Sequence, residues 1–434
     1  MMRALGMDDG YGEQAALSAR ESAGERAIGH GLDWPMLMFA AVVSISTLFA
    51  YQFNSLTVVI DVLALVMLCV YRPDIVTSSI SGSWLLPLFV LWMLLSAVWS
   101  AFPGTSVYYG VQAAVTLIMG MQLGHRSRRN EALVGLFFGW SIYTVGSLIF
   151  GHSVKWGAHG ASAFSGLNEG KNYAGDTAVL GFIFALHAIR WGLQQRRLGM
   201  VAYAVFVAVG DVYIVTIAQS SGAMLGVMEA MTLFLALSAL MLLSLQTRMS
   251  LLILAFLSAA ILFLARDIWF TPLRDGVLAF FGKDPTLTGR LYLWVRAEEV
   301  MQSHAWLGVG YNGFWVQGNL DAEGLWRSEG IVGRTGFNFH NSWIEMQVHL
   351  GWIGLAMSGI VLVGYGLRLL KGFALDPDIA RMTWLIVLFY ELGRMPYESI
   401  GISPFSYSTM VLVGALTAGA RGTSARVIDG PSRR

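Results

Sequence analysis

Along most of the chain, apolar stretches roughly 20 residues long alternate with short polar linkers. Twelve such stretches lie near 35–52, 55–71, 84–100, 106–123, 132–151, 173–190, 199–218, 220–244, 249–265, 342–366, 382–398 and 403–420. A helix rises about 1.5 Å per residue, so about 20 apolar residues cross a hydrocarbon core about 30 Å thick. The pattern predicts an all-α polytopic membrane protein of about 12 transmembrane helices, with a large outer loop between helices 9 and 10. The domain order is a tail over 1–34, helices over 35–265, the loop over 266–341, helices over 342–420 and a second tail over 421–434. A smaller loop, rich in Gly and Ser, covers 152–172. Long connections of this kind are functional or disordered, and the Trp, Tyr and Phe content of 266–341 argues against disorder. Within it Leu291, Trp294, Ala297, Val300 and Met301 recur at helical spacing. That spacing predicts an amphipathic helix along the outer membrane surface.

Charge then orients the spans. Arg72, Arg126, Arg128, Arg129, Arg190, Arg196, Arg197, Arg248, Arg368, Lys371 and Arg381 fall in every second loop, and the short loops near 53, 103, 219 and 400 carry no Lys or Arg. Both tails are also Arg-bearing, so the positive-inside rule predicts cytoplasmic termini and places 152–172 and 266–341 outside. Composition agrees with a membrane protein: 56% of the 434 residues are hydrophobic and 13% charged, against about 25% charged in soluble domains. The net charge of +1 and the lack of a basic tract give no reason to expect a nucleic-acid partner. Cys69 is the single cysteine, so no disulfide framework exists. The first 34 residues lack an apolar core and are not a cleavable signal peptide.

The last third of the chain carries the polar chemistry. In "FNFHNSWIEMQVHLGWIG", Phe337 to Gly354, an apolar helix opens on His340, Asn341 and Ser342 and carries Glu345 and His349. Ser342 with Glu345 has the form of a capping box, which would leave helix-end N–H groups facing outward as a seat for phosphate. His340 lies just before that cap, within reach of a substrate; taken alone, a His at such a junction is more often structural than catalytic. His349 reads as packing. The outer loops hold Lys155, Lys171, Arg266, Arg274, Lys283, Arg290, Arg296, Arg327 and Arg334, which are either solvated surface or a basic pocket for an anion. No paired-Cys or His-Glu-x-x-His spacing and no close Asp pair suggests a metal site. "GVGYNGFW", 308–315, lacks the strand context of a phosphate loop and reads as a turn presenting Tyr311, Phe314 and Trp315, as membrane anchors or sugar-stacking rings. Asp61, Asp176, Asp211, Glu229, Glu391 and Glu398 fall inside expected spans, with Arg394 between the last two. Such residues open a transporter reading, and Glu391, Arg394 and Glu398 at i−3 and i+4 spacing on one helix fit a neutralised structural cluster equally well.

"HNSWIEMQVHLGWIG" resembles the signature of the O-antigen ligase and polymerase superfamily: His340, then Asn341, nine residues, then Gly351. "TLTGRLYLWVRAEEVMQSHAWLGVGYNGFW", 286–315, is similar to that family's large periplasmic loop, and "NEGKNYAG", 168–175, to its Lys-Asn-x-x-Gly element. The resemblance covers about 150–360. It implies a GT-C-like, metal-independent inverting glycosyltransferase on the periplasmic face of a bacterial inner membrane, with no cofactor. The implied donor is an undecaprenyl-diphosphate-linked glycan, and the acceptor is another glycan (polymerase) or a sugar of the lipid A core (ligase). Other polysaccharide-assembly proteins are implied partners. The catalytic His of the family corresponds to His340, and its diphosphate-binding residues correspond to Arg290 and Lys171, where ligases often have Arg. Supporting positions are Asn341, Asn172, Tyr311, Arg334 and Arg394. "WSAFPGTS", 99–106, and "GKN" lean toward the exopolysaccharide polymerases. A lipid-linked glycan transporter is the competing class.

Overall fold

A computed structural model describes residues 32–125, 129–156, 161–168, 170–280, 290–334 and 336–420. Residues 1–31 of the expected tail over 1–34, the expected tail over 421–434, Arg126, Arg128 and the segment 281–289 with Lys283 lie outside the described residues. The described chain is largely helical: α1 Trp34–Leu48, α2 Ala50–Phe53, α3 Ser55–Tyr71, α4 Pro73–Gly82, α5 Leu85–Leu95, α6 Pro103–Leu123, α7 Arg129–Phe150, α8 Lys171–Gln194, α9 Leu198–Ala218, α10 Ser221–Met241 and α11 Leu245–Leu264 come first. Then follow α12 Arg266–Phe280, α13 Arg290–Ser303, α14 Leu320–Ser328, α15 Ser342–Leu375, α16 Ile379–Arg394 and α17 Tyr407–Ala418. The loop over 152–172 contains an antiparallel hairpin, β1 His152–Trp156 with β2 Ala161–Gly166.

Among the described residues, six helices (α7, α8, α9, α10, α11 and α15) are long and apolar enough to cross a membrane. The number rises to seven if α3 and α4, bent by 104°, form one broken span. The chain is a multi-pass membrane protein, but this count is lower than twelve. Three further apolar helices, α1, α5 with its 3-10 extension, and α17, are only 10–17 residues long, and α16 has 16 residues. The α3–α4 bend falls at Arg72–Pro73, where the ring of Pro73 opens α4 and disfavours helical backbone at the preceding residue.

Helix α8 is the buried hub, packed against α7, α9, α10 and α16. Small residues let backbones close up: a side chain on Gly124, which caps the end of α6, would sit 1.9 Å from the Gly414 carbonyl of α17. By contrast α11 turns nearly all its apolar surface outward, as a lipid-facing helix does.

The segment between α11 and α15 builds a small core of its own from Leu293, Ala297, Phe314, Ala322, Leu325, Trp326 and Phe339, closed by Val348 of α15. Helix α13 turns Leu293 and Ala297 inward, flanked by Trp294, Val300 and Met301. Leu291, expected on that face, is 47% exposed.

The span expected to run unbroken from 342 is interrupted. Gly351 has φ +66° and ψ −171°, a conformation open essentially to glycine, and splits α15 into a short entry helix and a long one. A break strands carbonyls that must find donors in an apolar setting. The loop before α14 supplies them: Val309 N donates to Val348 O at 2.9 Å and Gly310 N to His349 O at 3.0 Å. In return Trp352 N donates to Ala305 O at 2.8 Å. A side chain at Gly308 would meet the His349 carbonyl carbon at 2.4 Å, so the glycines of "GVGYNGFW" serve close backbone docking.

Connections that the charge pattern groups together also meet in space. Arg129 pairs with Asp378 at 3.3 Å, and Ser78 lies 2.8 Å from His125. In a second group, Trp99 Nε1 donates to Leu307 O at 3.0 Å, Tyr311 N to Ser96 Oγ at 2.8 Å, and Tyr311 OH to Ile402 O.

Candidate active site

His340 sits at the mouth of α15 with φ +50°, a left-handed conformation uncommon for a residue with a side chain. Its neighbours hold it there. His340 N donates to Asn338 Oδ1 at 2.8 Å, Trp294 Nε1 to Phe339 O at 2.9 Å, and Phe339 N to Glu345 Oε2 at 2.7 Å. Trp315 Nε1 donates to the other Glu345 oxygen at 3.0 Å. Glu345 thus braces the turn from inside.

The expected capping box is displaced by one residue. Asn341, not Ser342, is the N-cap, and its Oδ1 accepts from Trp343 N at 3.0 Å and Ile344 N at 3.2 Å. Ser342 N donates to Met395 O at 2.8 Å and Glu345 N to Asn341 O at 2.9 Å. The N–H groups of Ser342, Trp343 and Ile344 are therefore taken, which leaves these three no part in seating a phosphate. Ser342 is the first helical residue because its hydroxyl is used elsewhere, donating to Glu398 O and accepting from Ile400 N, each at 2.7 Å.

That clasp brings the 395–400 loop against His340. Glu398 Oε2 lies 3.3 Å from His340 Nδ1, and Glu398 Oε1 lies 3.3 Å from the Arg290 guanidinium. Arg290 also donates to Tyr397 O at 2.6 Å. Burial, the largest influence, pulls the Glu398 carboxyl up. The hydrogen bond from His340 and the positive field of His340, Arg290 and Arg394 outweigh it, leaving Glu398 below the usual carboxylate range. A carboxylate can only accept, so His340 Nδ1 is the donor of that bond, and whenever the ring is neutral the lone pair falls on Nε2. His340 remains 28% exposed at its side chain, and Arg290 20%. The arrangement can take a proton from a neutral nucleophile beside a cation.

Glu398 was read from sequence as the i+4 partner of Arg394, and the structure corrects this. Helix α16 ends at Arg394 in a turn that Tyr397 N and Glu398 N close on the Arg394 carbonyl, and Pro396 has no N–H to continue the ladder. That proline is the signal that separates Glu398 from the helix. Arg394 instead pairs with Glu391 at 3.1 Å and with Asp176 of α8, and its guanidinium lies 5.1 Å from the centre of the Tyr390 ring. Lys171 is the first residue of α8, on the helix that carries Asp176. Asn172 meets Ser220 at 3.4 Å.

Tyr311 is fully buried, so it supports the fold and does not present a face to sugar. Phe314 is equally buried. Arg334 is exposed and pairs with Glu323. His349 is buried with its ring edge-on to Tyr311, a packing position. Of the acids inside expected spans, Asp211 accepts from Thr144 at 2.7 Å and Asp61 is buried on α3. Asn338 and Ser399 were not singled out by sequence; Ser399 Oγ lies 3.1 Å from both Asn338 Oδ1 and Glu345 Oε2. Among the described residues, no three His, Cys, Asp or Glu side chains converge as metal ligands.

Residues 206–358 match the family described as O-Antigen ligase. The chain is also similar to the exopolysaccharide production protein ExoQ of Rhizobium meliloti (strain 1021), 32% identical over 275 residues. That stretch covers 63% of this chain and 62% of the relative, less than two thirds of its length. Both findings support the O-antigen ligase and polymerase superfamily. The family match takes in Arg290, His340, Asn341 and Gly351, begins after Lys171 and ends before Arg394 and Glu398.

Proposed function

We propose, from residues 206–358 that match the O-antigen ligase family and from the site built on them, that this chain is a glycosyltransferase of the bacterial inner membrane. It transfers a glycan from undecaprenyl diphosphate to a sugar hydroxyl on the periplasmic face, and both termini are cytoplasmic. The observation that carries the reading is the His340–Glu398–Arg290 cluster, an accessible imidazole whose tautomer is set by a carboxylate beside a guanidinium.

In the reaction, His340 Nε2 removes the proton from the acceptor hydroxyl as its oxygen bonds to the anomeric carbon. The bond from that carbon to the diphosphate oxygen breaks, and its electron pair leaves with the lipid diphosphate. Arg290 and Lys171 stabilise the departing charge, and direct displacement inverts the anomeric centre. Glu398 orients His340 and stabilises the imidazolium that forms. No divalent ion is required in this scheme, so activity is expected to persist in excess EDTA.

Similarity to an exopolysaccharide production protein favours polymerase over ligase chemistry. The deciding experiment incubates purified full-length protein in detergent with a lipid-linked repeat unit alone. Lengthened lipid-linked glycan supports a polymerase, and transfer only when lipid A core is added supports a ligase. No transfer to either acceptor, with movement of lipid-linked glycan across a proteoliposome membrane, would overturn the enzyme reading.

A further inference from the structure

Beside the His340 turn, an open cleft of about 480 Å³ lies between the start of α6 and the loop that precedes α14. Its size falls within the ~300–1,000 Å³ of ordinary ligand sites. Gly104, Tyr108 and Tyr109 line one side, and Trp315, Gln317 and Arg334 the other. Tyr108 is 61% exposed, with its ring edge-on to Tyr109 at 5.2 Å. The cleft thus mixes aromatic rings with an amide and a guanidinium. A pyranose ring needs that mixture, since its C–H faces are apolar and its rim carries hydroxyls.

Two ring contacts connect the cleft to the imidazole: Trp315 with Phe337 at 5.2 Å, and Phe337 with His340 at 5.8 Å. Arg290 reaches the imidazole differently, through Glu398. Leaving-group and cleft contacts therefore come to His340 through different residues. Resting on the transferase reading above, we propose that this cleft binds the saccharide chain of the acceptor, with Tyr108 and Trp315 as stacking platforms and Gln317 and Arg334 as hydrogen-bonding edges. The acceptor's terminal hydroxyl then lies at His340 while its preceding sugars occupy the cleft.

Gly104 offers a clean block. A Cβ there meets nothing within 4 Å, so the backbone accepts a side chain; Gly104→Trp is the variant chosen to crowd the cleft, and Gly104→Ala is the control. The probe is an oligosaccharide of two repeat units, released from the exopolysaccharide of the strain that carries the gene. It is titrated into the full-length protein in detergent, without donor, and followed by calorimetry and saturation-transfer NMR. Saturable binding by wild type and Gly104→Ala, weakened at least tenfold in Gly104→Trp and Tyr108→Ala, is the expected result. His340→Ala, which removes one contact to the terminal hydroxyl, should still bind the probe saturably, which separates the cleft from the chemistry. If those binding results hold while no protein transfers glycan, the cleft stands and the transferase reading fails. Equal binding by wild type and Gly104→Trp, or none by wild type, overturns the cleft whatever the activity. So does a Tyr108→Ala protein with unchanged saccharide affinity and weaker partition into nanodiscs, which would make the rings membrane anchors. Where transfer is measured, Gly104→Trp should raise KM for acceptor; a rise for donor alone would overturn the assignment to acceptor.

Discussion

His340 combines an accessible ring, a left-handed backbone and a carboxylate partner at 3.3 Å. If its Nε2 is the base, His340→Ala should insert and bind donor yet lose on the order of 10²–10⁴ in turnover. The loss belongs in kcat more than in donor KM, because proton removal matters chiefly in the transition state. Near wild-type turnover in an inserted His340→Ala protein would remove it from the chemistry. Glu398 yields a pH prediction. Its carboxyl is held below the usual range, so the stability it contributes is present above its unfolded value, about 4.3. That contribution is lost as pH falls through the lower folded value. Glu398→Gln should therefore lower the melting temperature in detergent at neutral pH, and the gap to wild type should shrink in acid below about pH 4. A gap that widens in acid would contradict the assigned sign.

At the scale of one element, α15 is two helices joined at Gly351, and its entry helix is fastened at both ends. Asn341 caps the start, an interaction worth about 1 kcal/mol in ordinary helices, and the loop over 305–310 takes up the carbonyls at the break. The Val348 and His349 carbonyls each accept a protein N–H, so the break is satisfied within the protein. Gly351→Ala should be severe. The backbone conformation alone costs on the order of 1–3 kcal/mol in a residue with a side chain, and the new Cβ would lie 2.2 Å from the Trp306 carbonyl. Thermal unfolding of the purified variant should show a lowered transition, with activity lost together with folded protein. A Gly351→Ala protein of wild-type stability would contradict the docked break.

For the whole molecule, the arrangement of loops decides where chemistry can occur. Arg129 meets Asp378 in one group of connections, whereas the loops around Trp99, Leu307, Tyr311 and Ile402 meet in another. The positive-inside rule assigns the Arg-rich group to the cytoplasm. A cysteine placed at Val332, which is 93% exposed, should react with a membrane-impermeant maleimide from the periplasm. Cys69 replaced by Ser serves as background. Protection of that cysteine until the inner membrane is opened would reverse the topology and move the proposed transfer to the wrong face.

Hydropathy, loop charge and the His340–Gly351 motif are local properties, and they carry the reading of a multi-pass helical protein with its polar chemistry before the last spans. A helix at Arg290–Ser303 was legible for the same reason, and its inner face packs on the loop's own core. Helix number was less so, because apolar content does not reveal where a span stops short, as at α5 and α17, or bends, as at Arg72–Pro73. The cap could not be chosen from sequence: Asn341 and Ser342 are both good capping residues, and Ser342 is drawn off by the backbone of Glu398 and Ile400. Tyr311 looked like a surface ring until the docked loop buried it. Glu398 lies 58 residues from His340 along the chain. Its pairing depends on α16 ending at Arg394 and on the following loop folding back over the mouth of α15. Local rules describe what a residue prefers, and long-range packing selects which of its neighbours it meets.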